Sequence, residues 1–276
     1  MQRGYRQVDV FAEAPQSGNP LAVVIDSEGL STEEMQRFAR WTNLSETTFL
    51  LPPTEPDADY RVRIFTQFGE LPFAGHPTLG TCQVWLDSGG QPKVDGFVTQ
   101  QCTAGLIPIA ADGERLSFKA PPRTRSGPLD EATLAAALAA TGLDPSAIVD
   151  SAWIDNGPGW LGLLLSSSAE VLAVTPQSSD LKIGLIGPSP SEDEAAFELR
   201  AFFPKDGMTV EDPVTGSLNA STAQWLLETG RATAPYLAKQ GTALDRAGRV
   251  YVTTDDNGEV WVGGAVLTVI AGTVEL

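Results

Sequence analysis

The chain contains one histidine among its 276 residues, His76, in the segment ELPFAGHPTLGT. It lies between a glycine and Pro77, where the pattern predicts the start of a helix. The positive end of a helix dipole favours a neutral imidazole, which can donate a hydrogen bond or relay a proton. The structural alternative is that His76 caps its helix, with Pro77 at the favoured first position.

A second segment has the same arrangement. EDPVTGSLN begins with Glu211 and Asp212 and reaches Gly216, as ELPFAG begins with Glu70 and reaches Gly75. Each turn follows a predicted strand and begins a predicted helix. Two helix N-termini could together hold a carboxylate through backbone N–H groups, because glycine allows close approach. The alternative is that both glycines are ordinary turn residues.

Glu46 is a third candidate, in the segment NLSETTFLL. It begins a strand that then becomes apolar, so partial burial would raise its pKa toward the range that a general acid/base needs. The commoner alternative is a solvated glutamate at a strand end.

The surrounding pattern alternates predicted strands and helices. Ser31 and Glu34 form a predicted capping box at the start of the first helix. The predicted helices are residues 31–41, 76–89, 130–142 and 216–230; the predicted strands are 6–12, 21–26, 47–51, 59–66, 97–101, 105–110, 114–119, 160–167, 197–204, 249–254 and 259–270.

An internal repeat relates the two halves of the chain. Leu21 aligns with Leu161, Arg63 with Arg200 and Gly75 with Gly216, at offsets of 140, 137 and 141 residues. Three landmarks in one order at nearly one offset indicate a duplication. The proline-rich segment APPRTRSGP, 120–128, is the predicted linker. We therefore predict lobes 1–119 and 128–264, with 265–276 a candidate for returning to the first lobe.

Composition limits the function classes. The chain has 18 basic and 35 acidic residues and a net charge of −17, which disfavours binding to nucleic acid or to an anionic membrane surface. Cys82 and Cys102 suggest neither a disulfide framework nor a zinc site. No apolar leader or membrane-spanning run is present, so we expect a cytoplasmic protein.

Four motifs in this order, GNPLAVV, NLSETTFL, ELPFAGHPTLG and EDPVTGSLN, resemble the PhzF-like family of phenazine-biosynthesis isomerases. The resemblance covers nearly the whole chain. It implies an α/β (α+β) fold similar to diaminopimelate epimerase, with two pseudo-symmetric lobes, each a mixed β-sheet wrapped around a central helix, and an active site between them. It also implies a homodimer.

The resemblance implies roles for particular residues. Glu46 would be the general acid/base, and His76 and Asp212 would flank the substrate. The residues expected to bind the substrate carboxylate or to lie near it are Gly75, Gly216, Ser217, Ser45 and Asn19.

Three departures from related patterns stand out. Diaminopimelate epimerases use one cysteine on each lobe, whereas Ala74 and Pro213 stand at about those places here, so a two-thiol racemase is not expected. Gln67 replaces a proline of the family, and Asp245 replaces a glycine in the family's QG…GR signature. Gln67 could alter a loop near the site, and Asp245 affects a turn that we expect to be distal.

The predicted activity is that of a cofactor-independent isomerase that moves a proton on a small amino or hydroxy carboxylic acid. No dinucleotide fingerprint, phosphate loop or metal cluster is present in the sequence, so no cofactor or metal is expected. The alternatives are an epimerase, racemase or dehydratase of a related acid, or a non-catalytic small-molecule binding protein.

Overall fold

The computed structural model describes residues 1–113 and 115–276, which form two compact units. The first unit contains Met1–Lys119 and Gly263–Leu276, and the second contains Ala120–Val262. Glu114, the first residue of the predicted strand 114–119, lies outside the described residues.

The strands are β1 (Gln2–Val10), β2 (Asn19–Val24), β3 (Glu46–Leu51), β4 (Tyr60–Thr66), β5 (Glu70–Leu71), β6 (Phe97–Cys102), β7 (Gly105–Asp112), β8 (Arg115–Lys119), β9 (Arg125–Pro128), β10 (Ile148–Asp155), β11 (Trp160–Leu165), β12 (Lys182–Pro188), β13 (Phe197–Lys205), β14 (Met208–Asp212), β15 (Tyr236–Gln240), β16 (Gly248–Thr254), β17 (Val260–Gly264) and β18 (Val266–Glu275). The helices are α1 (Thr32–Thr42), α2 (Gly75–Asp87), α3 (Glu131–Thr141), α4 (Ser168–Ala173) and α5 (Gly216–Glu228), with 3-10 turns at Pro145–Ala147 and Thr242–Leu244.

The two units share one pattern of strand pairing. In the first, β1–β2 is antiparallel, β2–β3 parallel, β3–β4 antiparallel, β4–β6 parallel and β6–β7 antiparallel. In the second, β10–β11, β11–β12, β12–β13, β13–β15 and β15–β16 repeat this series in the same order. The mixed α/β architecture of two similar lobes is therefore confirmed, and α2 and α5 occupy corresponding places.

Local signals explain the helix ends that the sequence predicts. Ser31 accepts a hydrogen bond from the Glu34 backbone N–H while the Glu34 carboxylate accepts one from the Ser31 backbone, so the capping box at α1 is confirmed. Asp130 caps α3, and Gly142 ends it in the left-handed conformation at φ 67°.

The predicted linker is partly wrong. Within 120–128, the segment Arg125–Pro128 forms β9, which pairs antiparallel with β10. Proline and glycine in this segment are tolerated because β9 is short and its residues are exposed. The sequence also gave no separate prediction of the short helix α4.

The helices α2 and α5 are the central helices of their units, with most of their residues buried. At each helix–strand contact a glycine allows the close approach, on the helix in the first unit and on the strand in the second. A Cβ at Gly80, on α2, would lie 2.5 Å from Leu21 Cδ2 of β2. A Cβ at Gly184, on β12, would lie 2.4 Å from Leu218 Cδ1 of α5. Because the helices pack this closely on the strands, their N-terminal ends are held at fixed positions.

Within the part of the chain that the structure describes, no helix has the length and apolar character needed to cross a membrane.

Candidate active site

Glu46 and His76 come together in the first unit. Glu46 is the first residue of β3, and His76 is the second residue of α2. The Glu46 Oε2 atom lies 3.5 Å from His76 Nε2. The Glu46 side chain keeps 17% of its exposure and the His76 side chain 6%, so the pair is largely shielded from solvent. The Glu46 carboxylate is thus held beside the His76 imidazole, and a small movement of either side chain would bring the two into hydrogen-bonding distance.

Burial sets the charge state of His76. Desolvation lowers the pKa of this imidazole to about 3, so His76 is neutral near pH 7. The sequence predicts a neutral imidazole from the helix dipole, and the structure adds burial as a cause. A neutral imidazole can relay a proton to or from Glu46, whereas a fixed imidazolium could only donate one.

His76 does not cap α2, so the structural alternative for this residue is wrong. The N-cap is Ala74, which offers no side-chain hydrogen bond, and Pro77 is the third residue of the helix. The first backbone N–H groups of a helix have no partner within it. The backbone N–H groups of Gly75 and His76 therefore remain suited to an anion at this end of α2.

The helix α5 begins in a corresponding way in the second unit. Its N-cap is Thr215, which also makes no side-chain cap, and its first residue is Gly216. The Thr215 hydroxyl instead donates to Asp212 Oδ2 at 2.5 Å. This contact holds the Asp212 carboxylate beside the open N-terminus of α5.

Ser217 is the second residue of α5, as His76 is of α2. Its Oγ accepts a hydrogen bond from Trp160 Nε1 at 2.9 Å, and its backbone carbonyl accepts one from Asn156 Nδ2 at 2.9 Å. Because Trp160 occupies an acceptor position of the hydroxyl, the hydroxyl hydrogen is left to donate. Ser217, the Gly216 backbone and the helix dipole together suit a carboxylate.

The remaining predicted residues lie at strand starts or in loops. Asn19 is fully buried at the start of β2, and Ser45 is exposed directly before Glu46. Gln67, the first departure from the family pattern, donates from Nε2 to Asn43 Oδ1 and to the Leu44 carbonyl. Gln67 therefore supports the loop that leads into Glu46.

The second departure, Asp245, ends the 3-10 turn at Thr242–Leu244 with φ 55°. A glycine adopts this left-handed conformation without a steric cost, and aspartate is one of the few other residues that tolerate it. The replacement therefore preserves the turn.

The two cysteines are not placed for catalysis. Burial raises the pKa of Cys82 to about 12 and also raises that of Cys102, so neither thiol forms a thiolate readily. The N-cap positions of α2 and α5 are Ala74 and Thr215, so Thr215, rather than the predicted Pro213, is the counterpart of Ala74. Among the described residues, no group of three or more His, Cys, Asp and Glu side chains could hold a metal ion.

Sequence reasoning missed several residues of these two clusters. Thr215, Trp160 and Asn156 carried no signal of their own, since each acts through contacts with residues far away in the chain. Gln240 bonds to the turn before α5 and belongs to the QG…GR segment, which was noted only for its departure at Asp245.

Comparison with known proteins gives matches over nearly the whole chain. The family model described as phenazine biosynthesis-like protein, PhzC-PhzF, matches residues 8–272. The chain is 34% identical to antisense-enhancing sequence 1 of Schizosaccharomyces pombe, over 98% of both chains. It is 34% identical to trans-2,3-dihydro-3-hydroxyanthranilate isomerase of Pseudomonas aeruginosa, over 92% of this chain and 91% of the relative. The solved structure of a predicted epimerase from Pseudomonas aeruginosa is similar with a TM-score of 0.78 and 28% identity, covering 99% of both chains.

Proposed function

The chain belongs to the phenazine biosynthesis-like PhzC-PhzF family of isomerases, and from this premise we propose that it moves a proton on a small amino or hydroxy carboxylic acid without a cofactor. In this proposal Glu46 is the general acid/base that takes a proton from one carbon, exchanges it with solvent and delivers a proton to another carbon.

The observation that carries the proposal is the buried pair of Glu46 and a neutral His76. A carboxylate shielded from water is a stronger base than one in solvent, because desolvation disfavours its charged form. The His76 imidazole, 3.5 Å away and uncharged, can relay a proton by accepting it at one ring nitrogen while releasing one from the other, without holding Glu46 in a permanent ion pair. A well-placed acid/base of this kind contributes about 10²–10⁴-fold to a rate.

The second unit supplies the features that suit substrate binding. The open N-terminus of α5 and the donating Ser217 hydroxyl would hold the substrate carboxylate, and Asp212 would accept a hydrogen bond from an amino group. The N-terminus of α2, at Gly75, offers the same kind of backbone donors.

The substrate class follows from these donors and acceptors. The Pseudomonas aeruginosa relative is named for trans-2,3-dihydro-3-hydroxyanthranilate, which carries a carboxylate, an amino group and a hydroxyl. The second unit has suitable partners for two of these groups: the α5 N-terminus with Ser217 for the carboxylate, and Asp212 for the amino group. A local anion site also explains how a chain of net charge −17 could bind a carboxylate.

Solvent deuterium tests the proposal directly. The protein is incubated in D₂O with trans-2,3-dihydro-3-hydroxyanthranilate, and deuterium at carbon in the product is measured by NMR. We expect deuterium to enter at carbon with the native chain and not with Glu46→Gln. Isomerisation by Glu46→Gln at the native rate would overturn the assignment of the base.

An epimerase is the second candidate, since the similar solved structure is that of a predicted epimerase. An epimerase inverts a stereocentre without moving a double bond, so the optical rotation and the ultraviolet absorption of the product separate the two reactions. A binding protein without activity would incorporate no deuterium at all.

We also infer a homodimer. The strand β18 has nine residues without a charged side chain before Glu275, and Val269 and Ile270 on it are 37% and 48% exposed. Exposed apolar side chains grouped on one surface favour association with another chain. Light scattering should give about twice the 29.2 kDa of one chain, and a mass of one chain would reject the dimer.

A further inference from the structure

Gln240 is a fully buried polar residue at the end of β15 to which the reaction proposed above assigns no role. Its Nε2 donates to the Asp212 carbonyl and to Thr215 Oγ1, both at 3.0 Å. Its Oε1 accepts from the Thr215 backbone N–H at 3.0 Å and from Asn219 Nδ2 at 2.8 Å. All four hydrogen-bonding positions of this one amide are thus directed at the turn before α5 and at its first turn.

The contacts fix the direction of a short chain of hydrogen bonds. The Thr215 hydroxyl has one hydrogen, and it donates this hydrogen to Asp212 Oδ2 at 2.5 Å. Because Gln240 Nε2 donates to the Thr215 hydroxyl oxygen, that oxygen is the acceptor of this bond, and the hydroxyl hydrogen is directed at Asp212 Oδ2. The amide of Gln240 therefore determines the orientation of the Asp212 carboxylate through Thr215.

Two glycines near Gln240, Gly241 and Gly248, allow the β15–β16 segment to approach the turn before α5 closely. A Cβ at Gly241 would lie 2.6 Å from the Pro213 carbonyl oxygen, and a Cβ at Gly248 would lie 2.4 Å from Val214 Cγ2. The β15–β16 segment is therefore packed tightly against the 212–215 turn. The QG part of the signature therefore contacts the 212–215 turn, whereas Asp245 ends the 3-10 turn that follows it.

We propose that Gln240 is the positioning residue that sets the 212–217 turn, and with it the Asp212 carboxylate and the anion-binding end of α5, for the substrate. This inference rests on the proposed function for its kinetic consequence. It rests only on the geometry of the second unit for its structural consequence. No other side chain supplies two donors and two acceptors from one planar group, apart from the shorter asparagine.

The first unit offers a matched control. Gln100 is also fully buried, and its Nε2 donates to Thr78 Oγ1, the fourth residue of α2, at 2.9 Å. Its Oε1 accepts from Tyr60 at 2.9 Å and not from the turn before α2. The parallel registers explain the difference. Gln100 lies opposite Tyr60, the first residue of β4, whereas Gln240 lies opposite Leu199, the third residue of β13.

The experiment compares Gln240→Met with Gln100→Met in the full chain. Each variant removes a fully buried amide from one unit and keeps nearly the same side-chain volume. Amide hydrogen exchange is followed by mass spectrometry in peptides covering 212–219 and 71–78. Loss of a buried hydrogen bond changes a local equilibrium by about tenfold. We therefore expect exchange in 212–219 to rise about tenfold or more in Gln240→Met and to stay near the native rate in Gln100→Met.

Kinetics with trans-2,3-dihydro-3-hydroxyanthranilate gives the second readout. We expect Gln240→Met to raise KM about tenfold and to lower kcat by a smaller factor, with Gln100→Met close to native. Gln240→Glu serves if the methionine variant does not fold. It should lose activity at neutral pH and regain part of it as pH falls, since a protonated carboxyl restores one donor.

The outcomes separate this inference from the proposed function. Equal exchange in 212–219 for the two methionine variants would overturn the positioning role, whichever substrate the chain uses. If exchange rises as expected while Asp212→Asn and Ser217→Ala leave turnover unchanged, the structural role stands and the proposed function fails. If those two variants impair turnover but Gln240→Met behaves as Gln100→Met in both readouts, the proposed function stands and the inference on Gln240 fails.

Discussion

Arg63 and Arg200 occupy equivalent places in the two units, on β4 and β13, and each pairs with a glutamate on the short strand that follows. Arg63 contacts Glu70, and Arg200 contacts Glu211, with Nη2–Oε2 distances of 2.6 and 2.7 Å. Each guanidinium also lies over a phenylalanine two residues on in the chain, at 5.0 and 4.8 Å from the ring centre. Both units thus contain the same arginine–glutamate ion pair, which joins the two strands that precede each central helix. We call these two ion pairs, Arg63–Glu70 and Arg200–Glu211, the braces.

The surroundings of the two braces differ. The side chains of Arg63 and Glu70 keep 24% and 29% of their exposure, and Arg63 also donates to Thr32 at the start of α1. Arg200 and Glu211 keep only 6% and 8%, and Arg200 Nη1 donates to carbonyls at the end of α4, including Val174 at 2.6 Å. A cation is favoured at a helix C-terminus, so Arg200 also joins α4 to the sheet.

The chemistry of the two units differs as well. Glu46 begins β3, whereas Lys182 begins the corresponding β12. His76 is the second residue of α2, whereas Ser217 is the second residue of α5. The repeated scaffold supplies two similar helix ends. The side chains beside them differ, and the proposal that one end transfers protons while the other binds a carboxylate rests on this difference.

The largest expected effect tests whether the acid/base belongs to one unit alone. Glu46→Gln keeps the size of the side chain but cannot exchange a proton at carbon, so turnover should fall about 10²–10⁴-fold. Lys182→Gln is the matched control at the corresponding position and should leave kcat within about twofold of native. Steady-state kinetics measures both, and equal losses would break the asymmetry between the units.

The next effect concerns the two braces. Arg200→Met leaves Glu211 buried without its charge partner, so the free energy of unfolding should fall by about 3–5 kcal/mol. Arg63→Met removes an ion pair that solvent reaches, so the loss should be about 0–1 kcal/mol. Urea denaturation of the two variants measures the difference. Similar losses would show that burial does not distinguish the two pairs.

A smaller effect separates the two helix ends by kinetic parameter. In the proposed function Ser217 donates to the substrate carboxylate, and Ser217→Ala removes this bond, so KM should rise about 10–100-fold with little change in kcat. His76→Asn should lower kcat more than it raises KM, and less severely than Glu46→Gln, because the imidazole orients and relays. An increase in KM alone for His76→Asn would assign both helix ends to binding.

The smallest effect is a pH dependence that one substitution isolates. Burial holds the pKa of His76 at about 3, below the ordinary value of 6.5. Below pH 6.5 the unfolded chain therefore binds a proton that the folded chain does not, and stability falls as pH decreases toward 3. The slope from this group is about 1.4 kcal/mol per pH unit.

Since His76 is the only histidine, His76→Asn should remove this slope between pH 5 and 6.5, and Ser217→Ala should retain it. Denaturation at several pH values measures the slopes, and an unchanged slope in His76→Asn would contradict the buried neutral state.

Several features could be predicted from the sequence because their signals are local. The capping box of Ser31 and Glu34, the glycine after α3 and the apolar periodicity of the strands depend on residues a few positions apart. The repeat also appears in the sequence, through Arg63 with Arg200 and Gly75 with Gly216, and the equal series of strand pairings confirms it. The resemblance to the family motifs indicated Glu46, His76 and Asp212 as candidate site residues.

The rest was decided by the tertiary structure. Nothing in the sequence near His76 shows that it is buried against Glu46, 30 residues earlier in the chain, and that burial sets its charge state. The same holds for Arg200, which becomes shielded only when α4 packs over it. Gln240 reaches Thr215 because a parallel strand register places it two residues nearer the turn than Gln100 lies in the other unit. Burial and register join residues that are distant in the chain, and short sequence patterns carry no record of either.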